Sequence, residues 1–321
     1  MVDLATSVGS VRLPSPVMTA SGTAGHGAEL EAYGRLSDLG AVVVKSLAKE
    51  PWPGNPAPRV HEVAAGMLNS VGLQGPGIDR WLEEDLPALA ACGARVVVSI
   101  WGGRVDDFAR AARLLAAADP PSVVAVEVNV SCPNIEDRSQ MFAHSATATA
   151  DAVAAAECGR PRWAKLSPNV ADLVPIAAAA LGAGAEALTL VNTLLGLAID
   201  LERRLPALGA GGGGLSGPAL HPVAVRAVFE CRSAFPEAGI VGVGGVLSGS
   251  DGIELLLAGA DAVQVGTATF RDPRAPWKVQ EGIARWCRRH GVRAVRELIG
   301  GAQSERPGGG PAHGDGCRRD A

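Results

Sequence analysis

The stretch Val123-Val124-Ala125-Val126-Glu127-Val128-Asn129-Val130-Ser131-Cys132-Pro133-Asn134 decides the fold of this 321-residue chain. Its first half is a β-branched run without clean alternation, the pattern of a strand buried on both faces, as in a parallel sheet covered by helices. Its second half is a polar, thiol-bearing knot at the strand's C-terminal end, where parallel α/β folds place their chemistry. Seven further runs of the same kind lie outward from it: Val17 to Ser21, Ala41 to Ser46, Arg95 to Trp101, Arg162 to Ser167, Ala187 to Asn192, Ile240 to Gly244 and Ala262 to Gly266. With Val123 to Asn129 they make eight.

Between them the Ala/Leu-rich spacing predicts helices over Glu29 to Leu39, Trp81 to Ala91, Val105 to Ala118, Thr147 to Ala156, Val170 to Leu181, Pro222 to Ala234, Ser250 to Ala258 and Trp277 to His290. Ser250 and Asp251 read as the N-cap of the seventh, and Gly259 as its stop. Eight such units predict an α/β fold, a (β/α)8 TIM barrel with inserted active-site loops. An open doubly wound sheet would carry a Gly-x-Gly-x-x-Gly turn after its first strand, which Ser21 to Gly27 only loosely imitates. The long connections Ala48 to Pro76, Ser131 to Ala146 and Thr193 to Pro218 read as binding loops or lids. Residues 1–299 are expected to form one domain, and the Gly/Pro-rich end, 300–321, a disordered tail.

Composition narrows the function. With 47% hydrophobic but only 4% aromatic residues, the interior is aliphatic. A net charge of −4 and no basic cluster beyond two Arg pairs leave no footprint for nucleic acid or an anionic membrane. No window is apolar enough to span a bilayer and the N-terminus has no signal pattern, so a cytoplasmic protein is expected. The six cysteines, at 92, 132, 158, 231, 287 and 317, include no Cys-x-x-Cys pair, which argues against a zinc or iron–sulfur site in this chain. Histidines lack metal-ligand spacing, His26, His61 and His144 fall in loops, and no two carboxylates pair at strand ends as glycosidase chemistry requires.

The strand ends themselves collect Ser21, Lys45, Asn129 with Cys132 and Asn134, Lys165, Asn192 with Thr193, Gly244-Gly245 and Gly266-Thr267. One strand-terminal lysine is ordinarily a snorkelling surface residue. Two, each closing a buried strand, point to an anion in the barrel mouth. Glycines after the seventh and eighth strands sit where barrels bind phosphate through main-chain N–H groups, so a flavin mononucleotide or a sugar phosphate fits. Cys132 opens a polar loop rather than lying inside a helix. It reads as a reactive thiol and candidate base, against the commoner fate of a buried, inert cysteine.

These motifs resemble class 1 dihydroorotate dehydrogenases over about Pro14 to Pro273. The resemblance is carried by Ala20-Ser21-Gly22-Thr23, Val44-Lys45-Ser46, Gly54-Asn55-Pro56-Ala57-Pro58-Arg59, Asn69-Ser70-Val71-Gly72-Leu73, Asn129 to Asn134, Lys165-Leu166-Ser167-Pro168-Asn169, Val191-Asn192-Thr193, Gly214-Leu215-Ser216-Gly217, Gly244-Gly245 and Gly266-Thr267. It implies FMN at the barrel mouth and Cys132 as the base that takes a C5 proton from dihydroorotate while C6 gives hydride to the flavin. It assigns Lys45, Asn69, Ser70, Val71, Gly72, Leu73, Asn129, Asn134, Asn192 and Thr193 to the substrate. It assigns Ser21, Lys45, Ser46, Ser99, Asn129, Lys165, Val191, Gly217, Gly244, Gly245, Gly266 and Thr267 to FMN. Within class 1 the loops are most like the NAD-linked 1B branch, which implies a catalytic homodimer joined into a heterotetramer by partner subunits carrying FAD and a [2Fe–2S] cluster.

Two departures stand out. Ser99-Ile100-Trp101 lies where the family commonly has an asparagine on the flavin, and Glu136 to Gln140 replaces a glycine-containing lid. Rival readings remain: an oxidoreductase of uracil or thymine resembling dihydropyrimidine dehydrogenase, a fumarate-linked class 1A enzyme, a flavin-binding module without turnover, and a flavin-free phosphosugar barrel.

Overall fold

A computed structural model describes residues 2–134 and 140–303. All eight expected barrel strands form: β1 (Val17–Thr19), β2 (Val42–Val43), β3 (Val96–Ile100), β4 (Val123–Asn129), β5 (Arg162–Lys165), β6 (Ala187–Leu190), β7 (Gly239–Val243) and β8 (Ala262–Val265). They pair in parallel in the order β1-β8-β7-β6-β5-β4-β3-β2.

The seam between β1 and β2 closes by other means than a regular ladder. Gly40 N–H donates to Val17 O at 2.7 Å, Thr19 N–H to Ala41 O at 3.3 Å, and Val43 N–H to the Thr19 hydroxyl at 2.9 Å. A threonine side chain thus supplies the acceptor that the short strand lacks. Thr19→Val would leave the buried Val43 N–H unpaired, so stability should fall by about 1–3 kcal/mol. An unchanged urea midpoint would remove the seam role from Thr19.

A hairpin of Thr6–Val8 and Val11–Leu13 stops the lower end of the barrel, packing Val8, Val11 and Leu13 against Met18, Val43, Val97 and Trp163. The interior changes character toward the other end, where Thr19, Ser99, Glu127, Asn129, Lys165, Thr189 and Gln264 are all buried. Polar groups so enclosed require partners, and this polar end is the face on which the long loops stand.

Most expected helices form within a few residues of their predicted bounds, and Val105–Ala118 matches at both ends. The segment Glu29 to Leu39 differs: it is two 3-10 turns, Glu29–Ala32 and Leu36–Asp38. There the Glu31 carboxylate accepts from Leu36 N–H at 2.7 Å, a side chain competing with the helical ladder. The next segment divides into Ile78–Glu84 and Leu86–Ala91, since Pro87 has no N–H to continue the ladder. The helix Gly249–Ala258 is capped by Ser248 rather than Ser250, with Asp251 accepting from Ser248 N–H at 2.8 Å.

Two of the three insertions meet. Val60–Val63 and Gly66–Asn69, from the loop after β2, join Leu194–Gly196 and Gly213–Ser216, from the loop after β6, in one antiparallel four-stranded sheet. His61 therefore belongs to a strand, not a loop. The join depends on glycine: a Cβ on Gly213 would lie 2.5 Å from Asn69 O, and one on Gly66 2.0 Å from Ser216 O. In the third insertion Pro133–Asn134 pairs with Gln140–Met141. Residues 135–139, which hold nearly all of the altered lid sequence, lie outside the described residues.

Gly300 to Gln303 do not begin a free tail. Gly300 N–H donates to Leu256 O, Ala302 N–H to Leu257 O, and Gln303 Nε2 to Ala258 O at 2.8 Å; the remainder of the expected tail lies outside the described residues. Among the described residues no helix is long and apolar enough to cross a membrane.

Candidate active site at the barrel mouth

The strand ends and the inserted sheet enclose a cavity of about 660 Å³. Its wall includes Ser21, Lys45, Ser46, Asn69, Ser70, Val71, Gly72, Leu73, Asn129, Lys165, Val191, Asn192, Thr193, Gly217, Gly244, Gly245, Gly266 and Thr267. Residues singled out on nine separate segments of sequence are thus brought to one place.

A line of hydrogen bonds forms the cavity floor. Ser21 Oγ lies 3.2 Å from Ser46 Oγ, Ser46 Oγ is 2.9 Å from Ser99 Oγ, Asn129 Nδ2 donates to Ser46 Oγ at 3.2 Å, and Asn192 Nδ2 donates to Asn129 Oδ1 at 3.2 Å. Five strand ends are tied together in this way, which fixes the amides before any ligand arrives. Ser99 is fully buried under Ser46 and does not reach the cavity. Of Asn134 only the main chain, paired in its short strand, is described.

The two lysines differ in their surroundings. Lys165 is paired with Glu127, at 3.5 Å. Lys45 has no carboxylate partner among the described residues, and burial, with Arg59 and Lys165 nearby, lowers its pKa below the ordinary lysine value. An ammonium in that position gains most from an anion.

Along the other side, Gly217, Gly244 and Gly245 adopt φ of 103°, 139° and 66°, a region that favours glycine. The main-chain N–H groups of Gly245, Gly266 and Thr267 donate to no acceptor among the described residues. His221, passed over in the sequence, accounts for the set of that turn: Nδ1 lies 2.8 Å from Gly244 O and Nε2 3.1 Å from Glu254 Oε2.

Other participants were also invisible in the sequence. Asn55 lines the cavity and donates to Ser70 Oγ at 2.9 Å, while Arg59 Nε binds Asn55 O at 2.6 Å. Asn169 Nδ2 donates to Thr193 O at 2.9 Å, and its Oδ1 accepts from Leu195 N–H at 2.8 Å. The Gly54 to Arg59 and Lys165 to Asn169 motifs pointed to these segments without giving the roles. At the substrate-side turn Leu73 has φ 61°, a strained setting of the kind that gathers at binding sites.

Cys132 does not line the cavity. It is fully buried, with Sγ 3.0 Å from Gly102 O and 3.1 Å from Asn129 O, and burial pushes its thiol up to about 12. Its neighbour Ser131 does face the cavity, with a buried Oγ that has no partner among the described residues. A second hollow, of about 540 Å³ beside His26, Trp52 and Arg80, gathers none of the predicted residues.

Fold and cavity define a barrel enzyme whose C-terminal face collects cations, side-chain amides and free main-chain donors around one deep site. The chain belongs to the dihydroorotate dehydrogenase family, whose family model matches residues 3–286. It is 43% identical over 301 residues to the dihydroorotate dehydrogenase B (NAD(+)) catalytic subunit of Alkaliphilus metalliredigens, covering 93% of this chain and 98% of the relative. The protein of the same name from Trichlorobacter lovleyi is 44% identical over 299 residues, 92% and 97% of the two chains. A relative from Solibacter usitatus, provisionally named dihydroorotate dehydrogenase A (fumarate), is also 44% identical over 299 residues, with the same coverage.

Proposed function

We propose that this cavity oxidises dihydroorotate to orotate, a step of pyrimidine biosynthesis, with FMN as its resident cofactor. The observation that carries the reading is the pairing of an uncompensated Lys45 with the tied amides of Asn129 and Asn192. Orotate is a flat anion with imide donors and acceptors; an ammonium neutralises its carboxylate, and amides read its ring in both directions. Asn69, whose Nδ2 donates to Gly214 O at 3.2 Å, and Thr193 close the substrate side.

The residues present suit FMN. The volume falls within the range of cofactor pockets, roughly 300–1,000 Å³. Free N–H groups at Gly245, Gly266 and Thr267 suit a phosphate, and Lys165, Ser46 and Val191 line the space left for the ring. Bound there, FMN supplies the acceptor for the hydride leaving C6 of dihydroorotate. Cys132 is the base for the C5 proton, and to act it must leave the carbonyls of Gly102 and Asn129. Electrons then pass to NAD through a partner subunit, a reading supported by the words NAD(+) and catalytic subunit in the names of the B-type relatives; that this partner would carry FAD and a [2Fe–2S] cluster is what the resemblance to class 1B implies. The Solibacter relative's name supports fumarate instead.

Anaerobic mixing of the purified protein with dihydroorotate should bleach the oxidised-flavin absorbance. A flavin that dihydrouracil reduces and dihydroorotate does not would move the substrate to uracil or thymine. Protein that takes up no flavin would overturn the cofactor. Turnover with fumarate alone, and none with NAD plus a partner subunit, would settle on the other acceptor.

A further inference from the structure

Among the described residues Glu127 is the one carboxylate with no exposure to solvent. It stands in the middle of β4, flanked in register by Ser99 on β3 and Trp163 on β5. Its Oε1 lies 3.5 Å from Lys165 Nζ, and its Oε2 accepts from Gln264 Nε2 at 2.9 Å. Burying an ion pair in this way costs several kcal/mol in desolvation and is weak grounds for stability, and hydrophobic residues of like volume are often as stable or more so. The layer just below, Met18, Val43 and Val97, is built of such residues. A charge kept at this level needs another account.

The contrast between the two cavity lysines supplies it. Lys45 meets the cavity with its charge uncompensated, while Lys165 meets it with a carboxylate immediately behind. We infer that Glu127 is a positioning residue that acts through Lys165, holding its ammonium against the flavin ring and reducing the positive field there, so that the bound flavin is a weaker oxidant than Lys165 alone would make it. This inference rests on the proposal that FMN occupies the cavity. In a low-dielectric interior a full charge at this distance is felt strongly, and Gln264 keeps the carboxylate from turning away.

The test uses the flavin-loaded protein without substrate. Sulfite adds to N5 of oxidised flavin and places negative charge on the ring, so its affinity reports the local field. In Glu127→Gln, which keeps the side-chain shape, sulfite should bind about tenfold tighter, and the midpoint potential should rise by about 30 mV for the two-electron couple. In a Lys165→Met background, where Glu127 has no ammonium to hold, the same substitution should shift both quantities by clearly less. Glu127→Asp, which keeps the charge but withdraws it from Lys165, should give a smaller shift of the same sign and decides the matter if the Gln variant does not fold.

A potential and sulfite affinity equal to wild type in the folded Glu127 variants would overturn the inference, as would a shift undiminished without Lys165. Failure of the wild-type protein to hold flavin would strike the underlying proposal, which flavin content alone reveals.

Discussion

Cys132→Ala is expected to lower the rate of flavin reduction by dihydroorotate by about 10²- to 10⁴-fold, the range that a positioned general base contributes. Flavin content should be unaffected, since Cys132 touches none of the cavity wall on the glycine side. Cys132→Ser should also lose most of the rate at neutral pH, a hydroxyl being a far weaker base. The buried thiol sets the sign of the pH dependence. Pushed up to about 12 by burial, it is protonated at neutral pH, and the base form grows about tenfold for each unit of rising pH. Stopped-flow traces of flavin reduction should therefore accelerate toward alkaline pH in the wild type and lose that dependence in the alanine variant. A rate unaltered by Cys132→Ala would remove the thiol from the chemistry and direct attention to Ser131, which lines the cavity and whose buried hydroxyl has no partner among the described residues.

Orotate should bind Lys45→Ala about 10- to 100-fold more weakly, the loss expected for a charge-assisted hydrogen bond. Titration of the flavin spectrum with orotate measures it. The pH dependence again has a definite sign. Burial and two neighbouring cations favour the neutral amine, so Lys45 sheds its proton at lower pH than a free lysine. An anionic ligand binds the protonated form, and affinity in the wild type should fall as pH rises through that lowered value. Equal affinity in both proteins would assign orotate's carboxylate to another cation, with Arg59 the next candidate.

The barrel was legible because its strands are uninterrupted apolar runs ending in polar residues, a signal as strong at Val123 to Asn129 as anywhere in the chain. The helix over Glu29 to Leu39 was misread because the turn is decided by one side-chain contact, Glu31 with Leu36 N–H, that periodicity does not register. Cavity residues could be read wherever a polar side chain closes a strand, as at Lys45 and Asn192. Residues that act by holding others were passed over: Asn55 and Asn169 grip loops, and His221 grips the main chain of Gly244. Glu127 did leave a mark, a lone carboxylate in a run of valines, but nothing in the sequence says that Lys165 stands over it. The seat of Cys132 was likewise beyond reach, since the thiol's direction depends in part on the Gly102 carbonyl thirty residues away.

The four-stranded sheet above the cavity has a bearing on how such proteins can be rebuilt. Its halves come from loops whose paired residues lie about 145 positions apart, yet Gly213 passes so close to Asn69 O and Gly66 to Ser216 O that neither half tolerates a side chain at the crossing. Loop exchange between barrel enzymes ordinarily treats each connection as an independent cassette. Here residues 60–69 and 194–216 form one transplantable unit, and a donor for one must supply the other.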